Sequence, residues 1–213
     1  MTYKDWKAKF VNNDGLTNGK QGDIISIAEE TLGKEDRRLY ELAAKNEPEI
    51  TKAIVGFAKD VGAEVIGLDY RLKSVTSFAR KAQGQTGGAI NDIIRYTFTS
   101  SEDDYTEMIK RTLSKLQEDG YETIRVKNYW LRRKNPYNGV NTFVKAPNGQ
   151  IFELQYHTPE SFALKDGEQH KLYEQLRVIE DVRSYEYVTL QEKMSELSKG
   201  LKTPNNIEEV LDV

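Results

Sequence analysis

Two extended runs, Asn141 to Ala146 and Gln150 to His157, are separated only by Pro147-Asn148-Gly149, and this constrains the fold more than any other stretch. Asn-Gly is a strong turn signal between alternating strands, so the two runs are expected to pair as a β-hairpin. In the second run Phe152, Leu154 and Tyr156 point one way, and Glu153, Gln155 and His157 point the other. The apolar set belongs in a core. The polar set, a carboxylate, an amide and an imidazole on one rigid strand, suits a site that handles a metal ion or phosphate. Its bland alternative is the wetted face of an edge strand.

Around this hairpin, helical and β-type patterns alternate. Asp23 caps a first helical segment with Ile24, Ile25, Ile27, Ala28 and Leu32, closed by Gly33. A second helix covers Lys34 to Lys45. A third starts near Pro48, carries Ile50, Ile54, Phe57 and Ala58, and ends by Gly62. Glu64 to Lys73 reads as extended, Ser74 to Gln83 as helical and Gly84 to Gly88 as a flexible connection. Ile90 to Thr99 is β-branched and aromatic, hence a buried strand. Ser101 and Asp104 form a capping box for a helix with Tyr105, Met108, Ile109, Leu113 and Leu116 on one face, ended by Gly120. Tyr121 to Trp130 is a further strand, and Arg132 to Gly139 a basic loop. Helices near Asp166 to Val182 and Glu186 to Leu197 precede a polar tail containing Pro204. The expectation is an α+β fold: a mixed β-sheet with flanking helices, preceded by a helical N-terminal section. The expected division is a helical section over 1–62, a core over 63–183, and a C-terminal helix and tail over 184–213.

With 213 residues, 38% hydrophobic and 31% charged, the chain is long enough for a substantial core. Its net charge of -3 gives no global attraction to nucleic acid. The absence of cysteine excludes disulfides, thiolate metal sites and a cysteine nucleophile. Only His157 and His170 exist, and their spacing fits no paired-histidine metal motif. Magnesium needs only one or two carboxylates plus waters and substrate phosphates, so it stays open. No apolar run reaches membrane-spanning length, and the opening residues lack a signal peptide's apolar segment. A cytoplasmic protein is therefore expected, with export by a route that reads no such signal left open.

Three constellations can carry chemistry. In the first, Arg71 and Lys73 are expected on one strand face. Ser74 and Ser77 then stand at a helix N-terminus, with Lys81 one turn beyond Ser77. Such groups at one junction suit a polyphosphate, or simply a solvated basic helix entrance. Asp92, opening a buried strand, pairs naturally with Glu153 as a magnesium site facing those phosphates, though it also reads as a turn residue. The basic loop, with Tyr129, Trp130 and Tyr137, reads as a lid over a second anionic substrate or as ordinary surface.

In order and spacing, these pieces resemble the synthetase domain of RelA/SpoT-type enzymes, alarmone synthetases with a nucleotidyltransferase-like fold. The matches are Arg71, Lys73, Ser74, Ser77 and Lys81, then Asp92, then Asn138-Gly139, then Glu153, Gln155 and Thr158, spread over about half of the chain. The resemblance implies that Arg71, Lys73, Ser74, Ser77 and Lys81 bind ATP. It implies that Asp92 and Glu153 hold Mg2+ as the catalytic pair, and that Gln155 supports the acceptor. The implied reaction moves the β,γ-pyrophosphate of ATP to a ribose hydroxyl and releases AMP.

Departures fall on the acceptor side. Val140 stands where the family has a base-stacking tyrosine, Tyr137 near the place of a lysine, and His157 in place of an arginine. Arg95 is the cation nearest to the family's unmatched arginine after the aspartate. Arg95, Tyr137, Asn138, Gln155 and His157 are thus the acceptor-side candidates. The acceptor is left open between a guanine nucleotide, an adenine nucleotide and a tRNA 3′ end. Without the histidines of the family's hydrolase domain, synthesis alone is expected. Implied partners are nucleotides, a tRNA, and an antitoxin or immunity protein if the chain is a toxin or delivered effector; no membrane is implied. Two alternatives stand beside this reading: a catalytically silent binding or structural module of the same fold, for example in a phage or mobile element, and a transferase of nucleotidyl groups.

Overall fold

The structure, a computed structural model, describes residues 32–84, 90–132 and 135–213. The helix expected from Asp23, most of the connection expected over 84–88, and Arg133 and Lys134 of the basic loop lie outside the described residues. Five strands form one mixed sheet: β1 (Glu64–Ile66), β2 (Arg95–Thr99), β3 (Glu122–Asn128), β4 (Val140–Lys145) and β5 (Ile151–His157), in the order β1-β2-β5-β4-β3. The hairpin forms as expected. The Gly149 N–H closes its turn onto the Ala146 carbonyl at 2.8 Å, with Gly149 at φ 85°, a conformation glycine adopts without strain. β5 runs antiparallel to β4 and parallel to β2, with Arg95 opposite Glu153, Thr97 opposite Gln155 and Thr99 opposite His157. β5 is therefore not an edge strand with one wet face. Glu153, Gln155 and His157 are buried along with Phe152, Leu154 and Tyr156.

The helices are α1 (Lys34–Val61), α2 (Val75–Gly84), α3 (Tyr105–Glu118), α4 (Pro159–Asp166), α5 (Glu168–Leu176) and α6 (Tyr185–Ser198). Where a break was expected at Pro48, α1 runs through it without interruption. A mid-helix proline costs about 3 kcal/mol. Against that, Tyr40, Ala43, Ala44, Glu47, Ile50, Ile54, Phe57 and Val61 form one buried stripe on both sides of Pro48, and splitting the helix would take half of it out of the core. Gly33, expected to close a preceding helix, is instead the extended N-cap of α1, while Gly62 ends α1 at φ 77°.

Three further expectations shift. The extended run over 64–73 shortens to β1, followed by a 3₁₀ turn at Leu68–Tyr70 and a single bridge from Leu72 to Ile94. The helix expected from Asp166 resolves into α4 and α5, broken at Gly167, with α4 starting directly after β5. Thr158 caps α4: its hydroxyl accepts from the Ser161 N–H at 3.2 Å, and Ser161 Oγ accepts from the Thr158 N–H at 3.0 Å. The tail is not merely polar. Ile207 and Val210 enter the core, and Val213 exchanges backbone hydrogen bonds of 3.1 and 3.2 Å with Val126 on the edge strand β3. Among the described residues, no helix is long and apolar enough to cross a membrane.

Candidate active site

Helix α1 holds the segment that carries Lys73. The Tyr40 hydroxyl donates to the Lys73 carbonyl at 2.8 Å, while the Lys73 N–H donates to the Ile93 carbonyl at 2.8 Å and the Arg95 N–H to the Arg71 carbonyl at 2.7 Å. These ties bring Lys73 beside Asp92. Lys73 Nζ lies 2.9 Å from Asp92 Oδ2, Lys81 Nζ 2.7 Å from Oδ1, and Arg95 Nη2 3.0 Å from Oδ2. Burial acts to raise the Asp92 carboxyl, but the hydrogen bond from Lys81 and the charge of Lys73, with Arg95, hold it down at about 2. Burial pushes the Lys73 ammonium below its ordinary value, with Asp92 pulling the other way. Ser74 caps the entrance of α2, its Oγ accepting from the Ser77 N–H at 3.3 Å and donating to Ser77 Oγ at 3.0 Å.

Arg95 then links Asp92 to the second acid. Its Nε lies 2.5 Å from Glu153 Oε2, so one guanidinium spans both carboxylates. Asn141 Nδ2 donates to the other Glu153 oxygen at 3.0 Å. The Tyr137 hydroxyl donates to Asn141 Oδ1 at 2.7 Å and lies 2.9 Å from His157 Nε2, which leaves Nε2 as the donor to the phenol oxygen. Ser161 Oγ stands 3.0 Å from His157 Nδ1. Burial, with the charge of Lys165, lowers the His157 imidazole to about 3, so it is neutral at physiological pH. The site is thus one polar network from Lys81 through Asp92, Arg95, Glu153, Asn141 and Tyr137 to His157.

Gly139 lets the loop cross His157: a Cβ there would come within 2.8 Å of His157 Cε1 and 3.0 Å of the Tyr156 carbonyl. Gln155 Oε1 and Asn138 Oδ1 are buried without a hydrogen-bond partner among the described residues. Native structures seldom leave such acceptors open, so a ligand donor suits both. Val140 lies in the core and offers no stacking surface.

Arg71 departs from its expected position beside Lys73. The short turn before it leaves its backbone helical, at φ -62° and ψ -32°, and its guanidinium turns into the interior. It pairs there with both oxygens of Glu47 on α1 and donates to the Leu68 carbonyl at 2.7 Å. Only 2% of Arg71 is exposed and Glu47 is fully covered, so the pair anchors α1 to the site rather than facing a ligand. Glu47, Asn141, Ser161 and Lys165 are the members missed in the sequence. Asn141 was legible as the hairpin residue paired with Gln155 in register. Ser161 and Lys165 stand on α4, the helix whose start was placed too late.

No known family profile matches the sequence, and no curated protein matches it. Solved structures do match. A GTP pyrophosphokinase family protein from Streptococcus pneumoniae is 17% identical at a TM-score of 0.53, over 78% of this chain and 91% of that one. The small alarmone synthetase 1 from Bacillus subtilis, bound to its product pppGpp, is 16% identical at a TM-score of 0.51, over 75% of this chain and 85% of that one. The Type VI effector Tas1, solved with its immunity protein, is 18% identical at a TM-score of 0.50, over 78% of this chain and 95% of that one. The chain has the α+β fold of the RelA/SpoT-type synthetase domain.

Among the described residues no cluster of three or more metal-ligating acids or histidines exists, so a metal cage built by protein alone is not present. Asp92 and Glu153 fit magnesium in the other way, as one or two carboxylates completed by phosphates and water, with Asp92 anionic at any physiological pH.

Proposed function

We propose that the chain is an ATP-dependent pyrophosphokinase that transfers the β,γ-pyrophosphate of ATP to a ribose hydroxyl of a nucleotide or a tRNA 3′ end. The observation that carries this reading is the Asp92–Arg95–Glu153 bridge, flanked by Lys73 and Lys81, on a synthetase fold. Lys73, Lys81 and the N-terminus of α2 with Ser74 and Ser77 receive the ATP phosphates. Arg71 takes no part in that contact. Asp92 and Glu153 would hold Mg2+, which supplies charge neutralisation on the phosphates.

Glu153 accepts the proton of the attacking ribose hydroxyl. The hydroxyl oxygen forms a bond to the β-phosphorus as the bond from that phosphorus to the α,β-bridging oxygen breaks, and AMP leaves with that oxygen. Arg95 meets the charge that builds on the transferred group. Positioning and electrostatics carry such reactions, and rigid groups on β2 and β5 suit them. Gln155, Asn138, Tyr137 and His157 form the acceptor side. An immunity protein or antitoxin is a proposed partner, on the likeness to an effector solved with one.

The test is incubation with γ-labelled ATP, Mg2+ and, separately, guanine nucleotides, adenine nucleotides and bulk tRNA. Label on one acceptor with equal AMP release is expected, and Glu153→Gln should abolish it at a temperature where circular dichroism shows the variant folded. Release of labelled pyrophosphate without labelled acceptor would refute pyrophosphate transfer.

A further inference from the structure

Lys165, in the last turn of α4, is a cation that the network above does not neutralise. Among the described residues it makes no hydrogen bond or ion pair, and its ammonium rests 5.0 Å from the centre of the Phe162 ring. That ring packs edge-on against His157 at 5.9 Å, and His157 leads through Tyr137 and Asn141 to Glu153. Lys165 thus stands beside His157, within electrostatic reach of Arg95 and Glu153. Lys165 is half-buried, and a ring face returns only about 0.5–1 kcal/mol to its ammonium.

The charges around it sharpen the point. Lys73, Lys81 and Arg95 already outnumber Asp92 and Glu153, and His157 is neutral, so Lys165 adds to a surplus of positive charge. Burial and the charge of Arg95 depress its ammonium, with Asp166 and Glu153 opposing. Asp166, the next residue, is itself exposed.

We infer that Lys165 binds a phosphate group of the acceptor, as the anion-binding residue of that half of the site. This deepens the pyrophosphokinase reading and rests on it. The ATP phosphates are served by other groups, Lys73 and Lys81 gathered on Asp92 and the serines at the start of α2. A phosphate beside Lys165 would reach the site with the acceptor, leaving its ribose hydroxyl toward Glu153.

The experiment is calorimetric titration of the full chain with Mg2+ and α,β-methylene-ATP, which cannot transfer, and then with GDP, ADP or tRNA in separate arms. The arm that binds tells a free nucleotide from an RNA phosphate. Losing one charge-assisted contact predicts that Lys165→Met weakens that acceptor by about tenfold or more, while Lys165→Arg stays within about threefold. Affinity for α,β-methylene-ATP should not change, and the Lys165→Met melting temperature should match or exceed the wild type, since an unpaired cation has left. Unchanged acceptor affinity, or a lowered melting temperature with both ligands weakened alike, would overturn the inference. So would wild-type protein that binds the ATP analogue and none of the acceptors. Wild-type protein that does not bind the analogue would instead overturn the pyrophosphokinase reading.

Discussion

Arg71 separates the structure from the family resemblance most sharply. The resemblance gives it to ATP, whereas the structure gives it to Glu47, beneath α1. Replacing Arg71 by Ala leaves the Glu47 carboxylate with no exposure and no cation among its observed contacts, beside Thr51, whose hydroxyl it accepts from. Breaking a buried pair from one side costs about 3–5 kcal/mol, and for a chain of this size each kcal/mol lowers the melting temperature by about 2–4 °C. The expected drop is therefore about 6–20 °C by differential scanning calorimetry. Replacing both partners, as Glu47→Leu with Arg71→Met, should recover most of it, because no charge is then stranded. At a temperature where Arg71→Ala is still folded, its affinity for α,β-methylene-ATP should stay near the wild type. A variant that melts normally but has lost ATP binding would refute this account and return Arg71 to the ligand.

Two further outcomes follow from the acceptor side. His157 is held at about 3 in the folded chain and titrates near 6.5 when unfolded, so the unfolded chain takes up the proton first. Stability is then fully present above the unfolded value and falls as pH drops toward 3, by about 2 kcal/mol between pH 7 and 5. Urea unfolding at the two pH values should record it, and His157→Gln should flatten that slope. Tyr137→Phe strands the Asn141 carbonyl oxygen and His157 Nε2, and should cost about 1–3 kcal/mol in the same assay with little change in ATP-analogue affinity.

The parts of the molecule legible in the sequence are those fixed by short-range rules. The Pro-Asn-Gly turn specified the hairpin, strand alternation put Glu153, Gln155 and His157 on one face, and the Ser74 to Lys81 spacing specified α2. What was illegible depended on tertiary packing. Pro48 reads locally as a boundary, and only the continuous buried stripe of α1 overrides it. Arg71 reads as a strand neighbour of Lys73, yet one residue in helical conformation rotates it into the core. Thr158-Pro159 is a good helix start, but it sits so close behind β5 that α4 was hidden within the strand's exit. The C-terminal residues read locally as a tail, and only the folded sheet shows Ile207 and Val210 entering the core while Val213 pairs with Val126 on the β3 edge.

The site's charges explain why such a concentration of buried ions can exist before a substrate arrives. Asp92 and Glu153 would repel one another if left alone, and Arg95 stands between them, its guanidinium bonded to both. One residue thereby satisfies two acids, and Lys73 and Lys81 take the remaining Asp92 contacts. On the proposed reading, Asp92 and Glu153 would hold a magnesium ion that supplies charge neutralisation, and Lys73, Lys81 and Arg95 would then turn to phosphate oxygens. Such an exchange would leave Asp92 and Glu153 paired before and after, which limits the desolvation cost that opposes substrate entry.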